Sequence, residues 1–385
     1  KAADSDQVVS EKLIDQSYDK CYRITSSGNN VENYHLSVDT PASRELKLVL
    51  KSLTITPAKA IAPIQINGAS QVTTYLEGEN SISINQSGKS SPAGISVAKD
   101  AKLTIDSEPE QQGSIKVLNN ASNTGAAIGG NGGEDAGTIH IQGGTVIAKM
   151  TNSHSMGAAI GASVGKSVKE IWISGGTVTA ETTWNGAGIG TGSANGQERT
   201  GKIVIEGGTV NASSWNGAGI GSGYGYAPGS QTITADIEIH GGMITTYSFS
   251  GACIGSGKDS SSKVLIDGGT ICLNNKEAQS RDAAHIGKGA ANSTWPQTDV
   301  TIAGGTIHLI NAGAYIKIPM LYGWEQVDGN WQKNTAKDGK DNPVYYTTAD
   351  LTGIYENNTL VEKAGIEGSS YRFHDVRTDA SGKLY

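Results

Sequence analysis

The sequence predicts an all-β parallel β-solenoid with about 32 residues and three strands per coil, and three observations carry that reading. A Gly-Gly doublet recurs at Gly143, Gly175, Gly207, Gly241, Gly268 and Gly304, an average step of about 32 residues. Isoleucine and valine alternate with polar residues on both sides of each doublet, the period-2 pattern of a strand. The 385-residue chain holds 52 glycines but only 2 phenylalanines and 4 methionines, so strand formers and small residues must build its core. A helical bundle is excluded. A six-bladed propeller competes on repeat number, but a blade needs about four strands and 40 or more residues.

Each strand follows from its place in the repeat. The first is the run Ile139-His140-Ile141, echoed by Ile171-Trp172-Ile173, Ile203-Val204-Ile205, Ile237-Glu238-Ile239, Val264-Leu265-Ile266 and Val300-Thr301-Ile302. The doublet then turns the chain through a corner that needs positive φ or close backbone approach. A second strand follows, as in Thr177-Val178-Thr179-Ala180, and a glycine-rich third, as in Gly186-Ala187-Gly188-Ile189-Gly190. Coils stack at about 4.8 Å, so equivalent residues form columns along the axis. Ile141, Ile173, Ile205, Ile239, Ile266 and Ile302 are expected to make one buried column.

Residues 1–20, charged and polar, read as a flexible lead or cap. Residues 21–310 read as the solenoid, with three or four irregular coils to about 120 and regular repeats over 121–310. Beyond that the repeat fades, and 311–385, with Trp324, Trp331 and Tyr345-Tyr346, is expected to be a β-rich cap over an otherwise exposed edge. The last residues, Asp379 to Tyr385, read as a turn entering an unfinished strand, as in a piece of a longer protein.

The runs GGTVTAETTWNGAGIGTGS and GGTVNASSWNGAGIGSG resemble glycine-rich right-handed parallel β-helix repeats of proteins secreted or surface-attached by Gram-positive gut bacteria. That resemblance covers residues 125–310. The earlier LKLVLKSLTIT and YLEGENSISI, within 45–120, are similar to carbohydrate-binding β-helix domains of clostridial secreted proteins. The resemblance implies right-handed coiling, an extracellular location and contact with polysaccharide. It assigns no catalytic residue.

The outward columns hold the candidate sites. On the third strand, Gly186, Gly188, Gly190, Gly217, Gly219 and Gly221 leave bare backbone, which is either packed under a neighbour or open as a platform for a polymer or a second copy of the chain. Beside it, Trp184, Trp215 and Phe249 fall in one column. They are read either as a glycan-binding aromatic ladder, with Asn185 and Asn216 supplying amide hydrogen bonds and Tyr224 and Tyr226 flanking it, or as a stack filling an internal corner.

The first strand carries charge. Lys202, Asp236 and Lys263 read as an ion-pair stripe. Glu206, Glu238 and Asp267 lie close enough for a glycosidase-type carboxylate pair, with His240 tuning their protonation, although such a pair needs a site that partly excludes water.

Other chemistry finds little support. The net charge of −7 gives no basic footprint for nucleic acid, and no apolar run approaches the length of a membrane span. The 7 histidines show no metal-ligand spacing and the 3 cysteines no disulfide framework, so no metal or cofactor is expected. Three functions remain: a polysaccharide-binding or adhesive module, a β-helical glycoside hydrolase or polysaccharide lyase, and a passive stalk. The acidic first strand disfavours a polyanionic substrate.

Overall fold

The computed structural model describes residues 21–310 except 27–29, 32–34, 86–90, 110–111, 122–124, 195–198, 226–234, 275–282, 284 and 291–297, together with 7–10 and five short strands between 324 and 372. Among the described residues there is no helix, and the architecture is a parallel β-solenoid.

Every rung repeats one circuit. In the central rung the first strand is Gly201–Ile205, the second Thr209–Ser214 and the third Ile220–Gly221. Third strands pair only with third strands, in one ten-stranded sheet. First strands stack in register through Ile141, Ile173, Ile205, Ile239, Ile266 and Ile302. The expected buried column is there: the first five of these isoleucines are fully enclosed, at 0 % exposure. Val146, Val178, Val210 and Ile244 of the second strands face them, with Ile160, Ile189, Ile220 and Ile254 of the third, all in one continuous core.

The first and second strands form a sheet folded at the glycine corner. Gly176, the second residue of its doublet, has φ of 74°, a conformation costly for any side chain. Alternation sends one residue into the core and the next out, as the buried–intermediate pattern over Thr209–Ser214 shows. Toward the N-terminus the rungs shorten, with a pairing step of 26 residues from Cys21 to Lys47 and again from Lys47 to Thr73. At the other end Ser262–Asn274 and Thr298–Ile310 each run through the corner as one 13-residue strand. Ser369–Arg372 then pairs antiparallel with Thr306–Leu309 and ends the parallel stack on that sheet.

Candidate functional site

Because the interior is nearly invariant, chemistry on this solenoid resides in its outward columns. Three are rich enough to describe: the first-strand face, the corner after the second strand, and a groove along the start of the first strands.

On the first-strand face His140 and Trp172 occupy equivalent positions in successive rungs. Their rings stack with centroids 3.9 Å apart and planes inclined by 2°. His140 is only 2 % exposed; its Nε2 lies 2.9 Å from Ser174 Oγ and its Nδ1 has no partner. Burial, reinforced by the nearby Lys102 ammonium, pushes its pKa down to about 4, so the ring is neutral at pH 7. The indole N–H of Trp172 donates to Glu206 at 2.9 Å. Sequence reading missed this pair, although His140 and Trp172 hold the same place in consecutive Ile-x-Ile runs.

Farther along the same face the structure gathers three of the four residues expected as a catalytic group. His240 Nδ1 lies 2.7 Å from Asp267 and its Nε2 lies 3.6 Å from Glu238, whose other neighbour is Lys202 Nζ at 3.6 Å. The hydrogen bond to Asp267 is the main cause that raises the His240 pKa. Glu206 stands apart on Trp172. His240, Asp267 and Glu206 are exposed and Glu238 is partly exposed, so no pocket encloses the carboxylates.

At the corner, the aromatic column lies at the surface rather than inside. Trp215 is 39 % exposed and stacks on Phe249 with centroids 3.9 Å apart and planes inclined by 13°. Neighbouring rungs supply these rings, so the stack runs along the solenoid axis and each ring turns one face to the other. Trp184, one rung earlier, has its ring partner in His154, at 6.4 Å and tilted by 51°. Tyr224 adjoins this corner: its backbone N–H donates to the Asn185 carbonyl, and Lys258 Nζ sits 5.8 Å from the centre of its ring. Tyr226 lies outside the described residues.

One pair of alternatives is decided here and two expectations are corrected. The third-strand glycines Gly186, Gly188, Gly190, Gly217, Gly219 and Gly221 are buried and form no open platform. Their role is steric, since a Cβ on Gly190 would collide with the Gly221 carbonyl oxygen and one on Gly186 with that of Gly157. Asn185 is 1 % exposed and its side-chain oxygen accepts from the Asn216 amide at 2.8 Å, so the pair is an internal amide ladder with only Asn216 reaching the surface. Lys202, Asp236 and Lys263 align as expected, yet among the described residues they form no ion pair with one another; Lys202 turns to Glu238.

Those three residues line instead a groove of about 810 Å³, which runs past six successive rungs from Lys99 and Asp100 to Lys263. It follows the start of the first strands. Sequence reading placed the Lys-Asp-Lys column but not the concavity beside it.

A family model described as a beta helix repeat matches residues 139–164, 171–193 and 203–224, three consecutive rungs that include Trp172, Trp184, Trp215 and Tyr224. No curated protein and no solved structure matches the chain. The repeat match and the stacked parallel rungs agree on the fold, a parallel β-helix.

Proposed function

We propose that the chain is a secreted or surface-attached module that binds polysaccharide without cleaving it. The observation that carries this reading is the exposed Trp215, backed by Phe249 and preceded one rung earlier by Trp184. An indole at the surface of a protein this poor in aromatics presents a flat apolar face of the kind that pyranose rings contact. Phe249 covers one face of Trp215, so a sugar is left the opposite face and the indole edge, on the side of Trp184. This differs from a polymer laid over three ring faces in turn: contact is confined to one or two sugar units. Tyr224 and Lys258 border the same corner.

The non-catalytic reading rests on the first-strand carboxylates. Glu206 is engaged by the Trp172 indole, and Glu238 stands between Lys202 and His240 on an open face. A glycosidase carboxylate pair works in a site that partly excludes water, and these carboxylates stand on an open face.

The test is a polysaccharide array read together with release of reducing ends. Binding without release is the expected result, and Trp184→Ala with Trp215→Ala should remove it. Because both rings lie at the surface, the double variant should unfold close to the parent temperature rather than lose the several kcal/mol, about 3–5, of an emptied core site. Unchanged binding by the folded variant would overturn the proposal. Release of reducing ends that is lost in Glu238→Gln would replace it with the hydrolase reading.

A further inference from the structure

We infer that the outward face of the second strands docks against the same face of a second copy of the chain, across a two-fold axis parallel to the solenoid axis. The inference does not rest on the glycan reading.

Every other residue of a second strand turns outward, and pairing sets these residues in columns along the axis. Over the rows 209–215, 243–249 and 270–272 no residue is charged. In the two rows before them the charges cancel, since Lys149 pairs with Glu181 at 2.6 Å. Trp215 and Met243, at 39 % and 56 % exposure, are the exposed large apolar side chains among the described residues. Both stand on this face, in adjacent rungs and at opposite ends of the strand. The first-strand face, by contrast, carries Lys202, Glu206, Glu238, His240 and Asp267. With a net charge of −7 on each chain, two copies approach most easily where neither presents charge.

The placement of the two apolar ends selects the orientation. A two-fold axis parallel to the solenoid axis keeps equivalent rungs level and reverses strand direction across the contact. Met243 of each copy then meets the Trp215–Phe249 stack of the other, a thioether-on-aromatic contact made twice. A two-fold along the strands would instead set the Met243 column against itself and leave the aromatics without that partner. The chosen axis also sets Lys149 opposite Ile147, Glu181 opposite Thr179 and Lys116 opposite Leu118, so no charge directly faces its like. The area suffices. Second strands from Glu79–Ile84 to the end of Ser262–Asn274 stack over about 34 Å, and each is about 20 Å long. Two such faces together cover on the order of 1,300 Å², within the ~1,200–2,000 Å² of a stable interface.

The whole chain should sediment as a dimer at micromolar concentration and remain one in about 1 M salt, where surface charges are screened within ~3 Å. Met243→Lys should weaken self-association at least about tenfold, since the two-fold repeats the loss. Its unfolding temperature should match the parent's, because Met243 is largely exposed. Its polysaccharide binding should match too, because Met243 lies at the far end of the strand from the aromatic corner. In a Cys272→Ser background, Met243→Cys chains mixed with Phe249→Cys chains should be joined by a short bismaleimide more readily than either variant alone. The inference is overturned if the chain is a monomer, if salt dissociates the dimer, or if Met243→Lys dimerises like the parent. It is equally overturned if either cysteine variant alone cross-links as readily as the mixture. A monomer whose polysaccharide binding falls with Met243→Lys would overturn it and give the face to the glycan.

Discussion

Two halves of the first-strand face share one backbone and one register yet treat a histidine in opposite ways. In the N-terminal half His140 is stacked under Trp172, nearly sealed from solvent, and held neutral with a pKa near 4. In the C-terminal half His240 lies exposed between Asp267 and Glu238, and its pKa is raised. The two also hold different places in the repeat: His140 lies within its strand, in the column of Trp172, Val204 and Glu238, whereas His240 follows the end of its strand, level with Glu206 and Asp267. On a solenoid, the environment of a side chain is written by the residues directly above and below it. The outward columns therefore act as nearest-neighbour systems, much as the rungs do in stability.

Both halves rest on one isoleucine column, and removing that support is the harshest way to break the comparison. Ile205→Asp places a charge at a fully buried site between two other isoleucines. We expect loss of cooperative unfolding by circular dichroism, since an unpaired buried carboxylate cannot be offset there. A retained cooperative transition near the parent temperature would contradict the register.

A milder change removes the lid of the N-terminal half. Trp172→Ala should cost about 2 kcal/mol, less than a full core truncation because the indole is only partly buried. It should also raise the His140 pKa from about 4 towards 6.5, because desolvation is the main cause of the depression. Histidine resonances followed by NMR through pH 4–7 check both statements.

The halves should also part in their pH dependence. The folded pKa of His140 lies below its unfolded value, so its contribution is present above about pH 6.5 and is lost as pH falls towards 4. For His240 the folded pKa lies above the unfolded one. Its contribution is complete below about pH 6.5 and is lost as pH rises through the folded pKa. Asp267→Asn should therefore flatten only the neutral-to-alkaline part of a stability–pH profile, by under about 1 kcal/mol for a pair this exposed. A change confined to the acid limb would mean that the two histidines have been assigned the wrong way round.

The interior was legible in the sequence because it repeats. Ile141 to Ile302 recur at one register, and the glycine doublets mark the corner that Gly176 turns with positive φ. The outward surface was only partly legible. Period-2 alternation tells in from out on a strand, but it says nothing about whether a glycine faces open solvent or the carbonyl of the next rung, so for the Gly186–Gly190 stretch only the structure decides between packing and an open platform. Asn185 was misplaced on the same ground, since it lies past the end of its strand where alternation no longer applies. The groove could not be seen in a column of letters. Its lining is drawn from six rungs that lie far apart in the sequence.

The glycine contacts of the third strand have one more consequence. At Gly190, where backbone meets backbone without an intervening side chain, the distance between rungs is set by main-chain atoms alone. The solenoid is thus a ruler whose graduations do not shift when its markings are changed. Substitution on the outer columns edits which chemistry stands at a given graduation, one residue at a time, without moving its neighbours. The interval itself is beyond the reach of any outward mutation. A ligand with a different repeat length is therefore met only by respacing charges over whole rungs, or by adding or deleting a rung.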